Sequence, residues 1–307
     1  MGEKNFVTFS TKVKNELCKI SRPFNDDSMS LLYGILLFSR SFKRSEISVH
    51  TENRSFCELI SDLLLQNFGC IVDVISSATT KENLTLKVPL KSDREGILNK
   101  FGHEKNEVSL KINLDLLYSA HCVKLFLRGV FLACGTITDP QNGYHLEFSV
   151  PYMNLSKCLL ELLADLKELD LKAKIAERKG NFIVYIKDSS AITDFLTYIG
   201  ASTGAMDFIQ VKMVKEVRNY VNRTTNFETA NISKIATAAT LQIEAIKKIK
   251  KCRKFNSLDE NLQELANLRL KHPEMSLREL GENLSSPLTR SGVNHKMKRI
   301  LNISEGI

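Results

Sequence analysis

Apolar positions along this chain recur in two periods, one helical and one alternating, and the first two thirds run through the same series twice. Val13, Leu17 and Ile20 keep helical spacing in a short lead-in helix that Ser21, Arg22 and Pro23 bring to an end. Residues 28–39 form a nearly unbroken apolar run of helix length. The pattern then switches to alternation over 40–53, where Ile47 and Val49 sit between polar neighbours and predict a hairpin. An amphipathic helix over 54–68 is stopped by Gly69, strands follow over 71–75 and 83–88, and a helix over 91–101 closes the series. After a connection over 103–120, a second apolar run (127–135) leads to strands near Thr136 and over 144–150, then a helix over 154–169. Strands over 173–176 and 181–187 and a closing helix that ends at Gly200 complete the second series.

The two series also match residue by residue. LYGILLFSR begins at Leu32 and LRGVFLACG at Leu127, so Gly34 and Gly129 correspond across an offset of 95. NLTLKV from Asn83 matches NFIVYI from Asn181, and ILNKFG from Ile97 matches FLTYIG from Phe195, both at an offset of 98. The three extra residues fall where the second copy carries a longer hairpin, with Asp139, Pro140, Gln141, Asn142 and Gly143 as turn chemistry. A glycine inside a helix costs about 1 kcal/mol against alanine, so Gly34 and Gly129 are expected where another backbone comes close. Pairing the copies predicts one α+β domain with a pseudo-twofold axis and two four-stranded sheets that share the central helices.

Beyond Gly200 the pattern changes. Ala201 to Gly204 and Asn222 to Asn226 are polar breaks that bound a linker over 201–226, with room for a bridging helix over 206–221. From Phe227 onward strand signals vanish. A helix over 228–251 carries Ile232, Ile235, Ala239, Ile243 and Ile246 on one face and ends in a basic run. Ser257 with Glu260 reads as a capping box ahead of a helix over 258–270, and Ser276 with Glu279 as another ahead of 277–284. Ser285, Ser286 and Pro287 make a turn, and Thr289 caps a last helix reaching about Leu301. The segment from Leu277 to Leu301 has the size and spacing of a helix-turn-helix, locked by Leu277, Leu280, Leu284, Val293, Met297 and Ile300. The other faces of its last helix present Arg290, Ser291, Asn294, His295, Lys298 and Arg299, all able to donate to bases or phosphates of double-stranded DNA.

Charge sharpens this picture. The net charge is +8, yet residues 1–199 hold 25 Lys and Arg against 24 Asp and Glu, while 200–307 hold 18 against 11. A basic segment joined to a near-neutral one points to an anionic partner for the basic part. Seven cysteines, scattered singly with no C-x-x-C pair, read as reduced thiols rather than a disulfide frame or a zinc cluster. No apolar run approaches the ~20 residues that span a bilayer, and the first ten residues lack a secretory apolar core, so a cytoplasmic, nucleoid-associated protein without membrane contact is expected. No phosphate-binding glycine loop, dinucleotide fingerprint or H-E-x-x-H occurs. His121 and Cys122 are neighbours in a helix and point about 100° apart, which rules them out as a nucleophile pair. No cofactor, metal or small-molecule substrate is expected.

Repeats of helix, strand pair, helix, strand pair and helix seeded by such glycine-bearing motif helices resemble the LAGLIDADG homing endonucleases. The C-terminal stretch SLRELGENLSSPLTRSGVNHKMKRI is similar to the helix-turn-helix of the WhiA family, whose pattern runs S-L-x-E-L-G…S-x-S-G-V-N-H-R. Thr289 replaces the family serine and Lys296 the arginine after His295, and both keep the chemistry. The resemblance extends over nearly the whole chain, and NRTTNFETANISKIATAATLQIEAIKKI (222–249) is similar to the family's connector and first helix of this domain. In the nucleases the last acid of each motif helix holds the divalent metals. The matching positions here are Ser39 and Cys134, and the earlier acids are lost to Leu37 and Leu132. Hard cations need oxygen ligands, so a serine beside a thiol implies a non-enzymatic domain. The nearest acids, Glu46, Asp139 and Glu147, lie on hairpins, with Asp139 better placed as the start of a turn.

The resemblance therefore implies a degenerate LAGLIDADG-like domain over 5–200 (copies about 5–102 and 112–200), the linker over 201–226, and an all-α helix-turn-helix domain over 227–303. The expected function is sequence-specific DNA-binding regulation of transcription, with a role in cell division, chromosome segregation or sporulation that comes from the family, and with protein partners in transcription or division. The rival expectations are a metal-dependent homing endonuclease or maturase, and a non-catalytic adaptor of the division machinery.

Overall fold

In a computed structural model, which describes residues 8–21, 28–76, 83–103 and 109–307, the chain divides into two compact units, 1–215 and 216–307. Arg22 and Pro23, expected to end the lead-in helix, lie outside the described residues.

The first unit begins with α1 (Phe9–Ile20), capped by the Thr8 hydroxyl, which accepts from Thr11 N at 3.1 Å. The first copy continues through α2 (Ser28–Leu37), β1 (Ser41–Phe42), β2 (Ile47–Thr51), α3 (Arg54–Phe68), β3 (Asp73–Ser76), β4 (Leu84–Lys87) and α4 (Lys91–Lys100). The second runs through α5 (Ala120–Cys134), β5 (Gly135–Ile137), β6 (Leu146–Val150), α6 (Met153–Asp165), β7 (Lys174–Arg178), β8 (Asn181–Ile186) and α7 (Ser189–Ile199). The sheets repeat one another: β1-β2-β4-β3 and β5-β6-β8-β7, antiparallel throughout. Val49 faces Leu86 in the first and Phe148 faces Val184 in the second, which puts equivalent apolar side chains on the inner face of each. Gly69 and Gly200 end α3 and α7 in the left-handed region, where a side chain would be strained.

The helices α2 and α5 form the centre of this unit. From Leu31 to Leu37 every residue of α2 is buried, as a helix apolar on all sides must be. A methyl group built on Gly34 would fall on the Phe126 carbonyl oxygen, and one on Gly129 would fall on the Leu31 carbonyl and lie 2.9 Å from Ile35 N. The two glycines therefore let one backbone rest on the other. Tyr33 fills the side of this contact, stacked on Phe101 at 4.8 Å and tilted against Phe126 at 5.3 Å. Arg128 is buried as well, and its Nε donates to the last carbonyl of α7, Ile199 O, at 2.7 Å.

The polar stretches at 201–204 and 222–226 do not interrupt the chain: α8 runs unbroken from Ser202 to Lys251. The helix starts this early because Glu16 of α1 caps it, accepting from Thr203 N at 2.7 Å and Gly204 N at 2.9 Å. Past Gly204 no glycine or proline occurs before Pro273, and threonine and asparagine lower helix propensity by only a few tenths of a kcal/mol each. A capping box at Ser257 is not formed either. Ser257 ends a 3-10 turn (Phe255–Ser257) with its hydroxyl on Lys254 O at 2.7 Å. The helix α9 (Glu260–Lys271) begins only after extended Leu258 has turned its side chain into the core, and its N-cap, Asp259, makes no side-chain cap bond. The second unit is completed by α10 (Leu277–Glu282) and α11 (Arg290–Glu305), around a core of Ile246, Ile249, Leu262, Leu265, Leu280, Val293, Met297 and Ile300.

Adding a methyl group at Gly34 or Gly129 must push two helix backbones apart. Gly34→Ala and Gly129→Ala are each expected to destabilise the first unit by about 1–3 kcal/mol or more. Gly96→Ala, in α4 with open space around it, should be neutral or stabilising by up to ~1 kcal/mol. Urea unfolding of the three variants measures this, and equal midpoints for all three would refute the close approach.

Candidate nucleic-acid interface

Four local devices fix the last two helices. At the start of α10 the expected capping box is present: Ser276 N donates to Glu279 Oε2 at 2.7 Å, and Glu279 N donates to Ser276 Oγ at 3.3 Å. Within α10, Gly281 lies so near the start of the next element that an added methyl would strike the Leu288 carbonyl oxygen and sit 3.0 Å from Val293 Cγ2. Leu288 N closes this contact by donating to Gly281 O at 3.0 Å. The turn itself is held from outside, by Glu264 of α9, whose Oε1 accepts from both Ser285 N and Ser285 Oγ at 2.6 Å. Those two bonds hold the Glu264 carboxyl below the usual carboxylate range. Arg269, only 2% exposed, donates through Nη1 to Pro273 O at 3.2 Å and Met275 O at 2.6 Å, which sets the loop that leads into α10.

On α11, Val293, Met297 and Ile300 face the core, so the opposite arc faces outward, and Arg290, Ser291, Asn294, His295, Lys298 and Arg299 are all exposed there. The Thr289 hydroxyl caps this helix, accepting from Gly292 N at 3.3 Å, and lies 3.0 Å from Ser291 Oγ. Among the described residues the side chains of Arg290, Asn294, His295 and Lys298 have no hydrogen bond or ion pair within the chain. Arg299 differs: its Nη2 lies 3.2 Å from Asp259 Oδ2 at the start of α9. The sequence pattern located the arc but carried no sign of Glu264, Arg269 or Asp259, which act across 21, 6 and 40 positions.

The positions matched to the nuclease acids lie in the first unit. Ser39 Oγ donates to Leu36 O at 2.6 Å, and Cys134 Sγ donates to Val130 O at 3.4 Å. Burial pushes the Cys134 thiol up to about 12, so it stays protonated and offers no thiolate to a metal. Lys14 of α1 reaches the same end of α5, and its ammonium donates to Leu132 O at 3.0 Å. Burial lowers its pKa, against a smaller opposing influence of Cys134 and Cys18. The nearby acids are engaged elsewhere. Glu46 pairs with Lys87 at 3.0 Å, Glu147 with His145 at 3.1 Å, and Asp139 accepts from Gln141 N at 2.8 Å inside its turn. Among the described residues no group of three His, Cys, Asp or Glu side chains is placed to hold a metal ion, and no helix is long and apolar enough to cross a membrane.

Comparison with known proteins finds a family match in each of the two units. Residues 123–218 match the family described as the WhiA LAGLIDADG-like domain, and residues 221–304 match the WhiA C-terminal HTH domain. A relative from Clostridium novyi (strain NT), named "Probable cell division protein WhiA", is 35% identical over 314 residues, spanning 97% of this chain and 98% of its own length. Another of the same name from Caldicellulosiruptor bescii is 36% identical over 281 residues, spanning 89% of this chain and 83% of its own. The crystal structure of a full-length DUF199/WhiA protein from Thermatoga maritima is 27% identical, with a TM-score of 0.59, and covers 98% of this chain and 99% of that one.

The clamp on the turn carries a pH signature. With its folded pKa depressed, Glu264 stabilises the second unit fully above the unfolded carboxyl pKa and loses that contribution as pH falls through the folded value. Glu264→Gln should therefore flatten the loss of stability below about pH 4.5, the ordinary carboxyl value, while lowering stability at pH 7. Urea midpoints of wild type and variant at pH 7 and pH 3.5 measure it. Parallel pH curves would show that Glu264 does not hold Ser285.

Proposed function

The chain belongs to the WhiA family, and from that premise we propose that it is a non-enzymatic, sequence-specific DNA-binding regulator whose contact surface is the outer arc of α11. The observation that carries this reading is the arc itself. Among the described residues, Arg290, Asn294, His295 and Lys298 stand exposed and unpartnered on a capped helix whose other face is locked to α10. In helix-turn-helix proteins the early residues of such a helix reach base edges and later cations sit nearer phosphates. We therefore assign base contact to Arg290, Ser291, Asn294 and His295, and phosphate contact to Lys298 and Arg299. The DNA-binding domain is taken as 227–303 and the duplicated α+β domain as 5–200.

The relatives' printed name supports a place in cell division, and we extend it to this chain as transcriptional control of division or sporulation genes. The duplicated domain serves this role as a scaffold or docking surface. At the position where a nuclease would hold a divalent cation, it carries a protonated thiol, a serine bonded to its own helix and a lysine ammonium. A lysine charge at that point repels the cation that the chemistry requires.

Titration of the full chain against its preferred duplex, selected from a random pool, and against unrelated duplex at two salt concentrations tests the assignment. Asn294→Ala should cost about 1–3 kcal/mol on the preferred duplex and little on the unrelated one. Lys298→Ala should weaken both alike and reduce the salt slope by about one. Arg299→Ala should cost less than Lys298→Ala, because Asp259 already competes for that guanidinium, and Asp259→Ala should tighten binding to both duplexes. Unchanged affinity in both Asn294→Ala and Lys298→Ala would overturn the reading. Separately, no cleavage of supercoiled plasmid is expected with Mg²⁺ or Mn²⁺, and metal-dependent cutting that Ser39→Ala abolishes would refute the non-enzymatic assignment.

A further inference from the structure

From Glu216 to Ala238 every residue of α8 is exposed, although the stretch is rich in apolar side chains. Val217, Tyr220, Val221, Phe227 and Ile232 are 63, 72, 52, 68 and 67% exposed. At 100° per residue these five, together with Ile235, fall on one stripe that Thr224, Glu228 and Asn231 complete, while Arg218, Asn219, Asn222, Asn226, Ser233 and Thr237 lie outside it. The stretch is also a poor helix former, since its middle reads VNRTTNFETANI, dominated by β-branched residues and asparagine. Helices of this kind depend on packing an apolar face, and from Val217 to Ile232 this one stays exposed. The flanking charges bear on what could cover it.

Glu216 and Lys234 stand five helical turns apart, so they occupy the same flank of the stripe, and among the described residues neither forms an ion pair within the chain. They are also equidistant from Thr225. We propose that this segment of α8 pairs antiparallel with the same segment of a second copy, about a twofold axis near Thr225. In that arrangement each Glu216 faces Lys234 of the second copy, giving two equivalent ion pairs. Val217 lies level with the Ile232–Ile235 region of the second copy, and Tyr220 level with the stretch from Phe227 to Ile232. A parallel, in-register pair would set each charge at the level of its own copy and lose both ion pairs. Thr224, Glu228 and Asn231 are the polar positions of the stripe, and polar positions in such a seam specify register at some cost in stability. A twofold dimer presents two α11 helices per assembly, which favours operators with twofold-related half-sites. The pairing goes beyond the DNA-binding assignment, and its test contains no DNA, so either can fail without the other.

The test is sedimentation equilibrium of the full chain over a range of concentrations. Wild type should show a concentration-dependent dimer, and Phe227→Glu should remove it. Glu216→Lys alone and Lys234→Glu alone should each raise the dimer dissociation constant on the order of tenfold, because a single swap turns both symmetry-related attractions into repulsions. The double swap should return it to within about twofold of wild type. Because these side chains are exposed in the single chain, restoration by the double swap also separates loss of pairing from loss of folding. A wild type that is monomeric throughout, a dimer indifferent to Phe227→Glu, or a double swap that fails to restore pairing would each overturn the proposal.

Discussion

The contact between Gly34 and Gly129 sets the distance at which α2 and α5 meet, and the rest of the first unit is arranged around that distance. Any side chain at either position would meet a carbonyl oxygen of the facing helix. With the backbones this close, the apolar flanks of both helices become core on all sides, and each sheet can lay its inner face, Val49 and Leu86 in one and Phe148 and Val184 in the other, against the same pair. The same pair of helices carries Ser39 and Cys134 just past or at their ends, the positions matched to the nuclease acids. The fold alone therefore does not decide the chemistry. The residues at those ends do, and here they are Ser39, Cys134 and the visiting Lys14.

Lys14 shows how such a change can be structurally stable. A helix C-terminus carries partial negative charge on its last carbonyls, and a cation there is favourable. In α5 the ammonium of Lys14 satisfies Leu132 O directly, at the expense of its own hydration, and that burial lowers its pKa. A cation supplied by the chain is compatible with the neutral Cys134 beside it, whereas a divalent ion would demand carboxylates that these positions no longer carry.

The duplication, both sheets, the motif helices and the capped last helix were legible in the sequence because each depends on local patterning. Alternation gave β2 and β6, the shared glycine gave α2 and α5, and Ser276 with Glu279 gave the start of α10. The contacts that escaped are those in which a side chain serves a backbone far away in the chain. Glu16 capping α8, Glu264 holding Ser285 and Lys14 reaching Leu132 leave no periodic trace. Two local signals misled for the same reason. Polar runs near 203 and 224 resemble breaks, yet Glu16 supplies the missing cap and no glycine or proline stops the helix afterwards. Ser257 matches a capping box in spacing, but Leu258 is drawn into the core and the chain must turn there before α9 can start.

The arc on α11 was legible as chemistry but not as electrostatics. Its six polar residues are equally visible in the sequence, whereas the structure separates them. Ser291 shares the N-cap with Thr289, Arg299 is engaged by Asp259, and among the described residues the others are uncommitted. An uncommitted side chain releases its full share of counterions when it meets a phosphate, while a paired one must first give up its partner. Asp259 and Arg299 are both exposed to solvent, where such a pair is worth little, so it can open at little loss. Arg299 thus keeps a neighbour that it can leave, whereas among the described residues no acid of the chain pairs with Arg290 or Lys298.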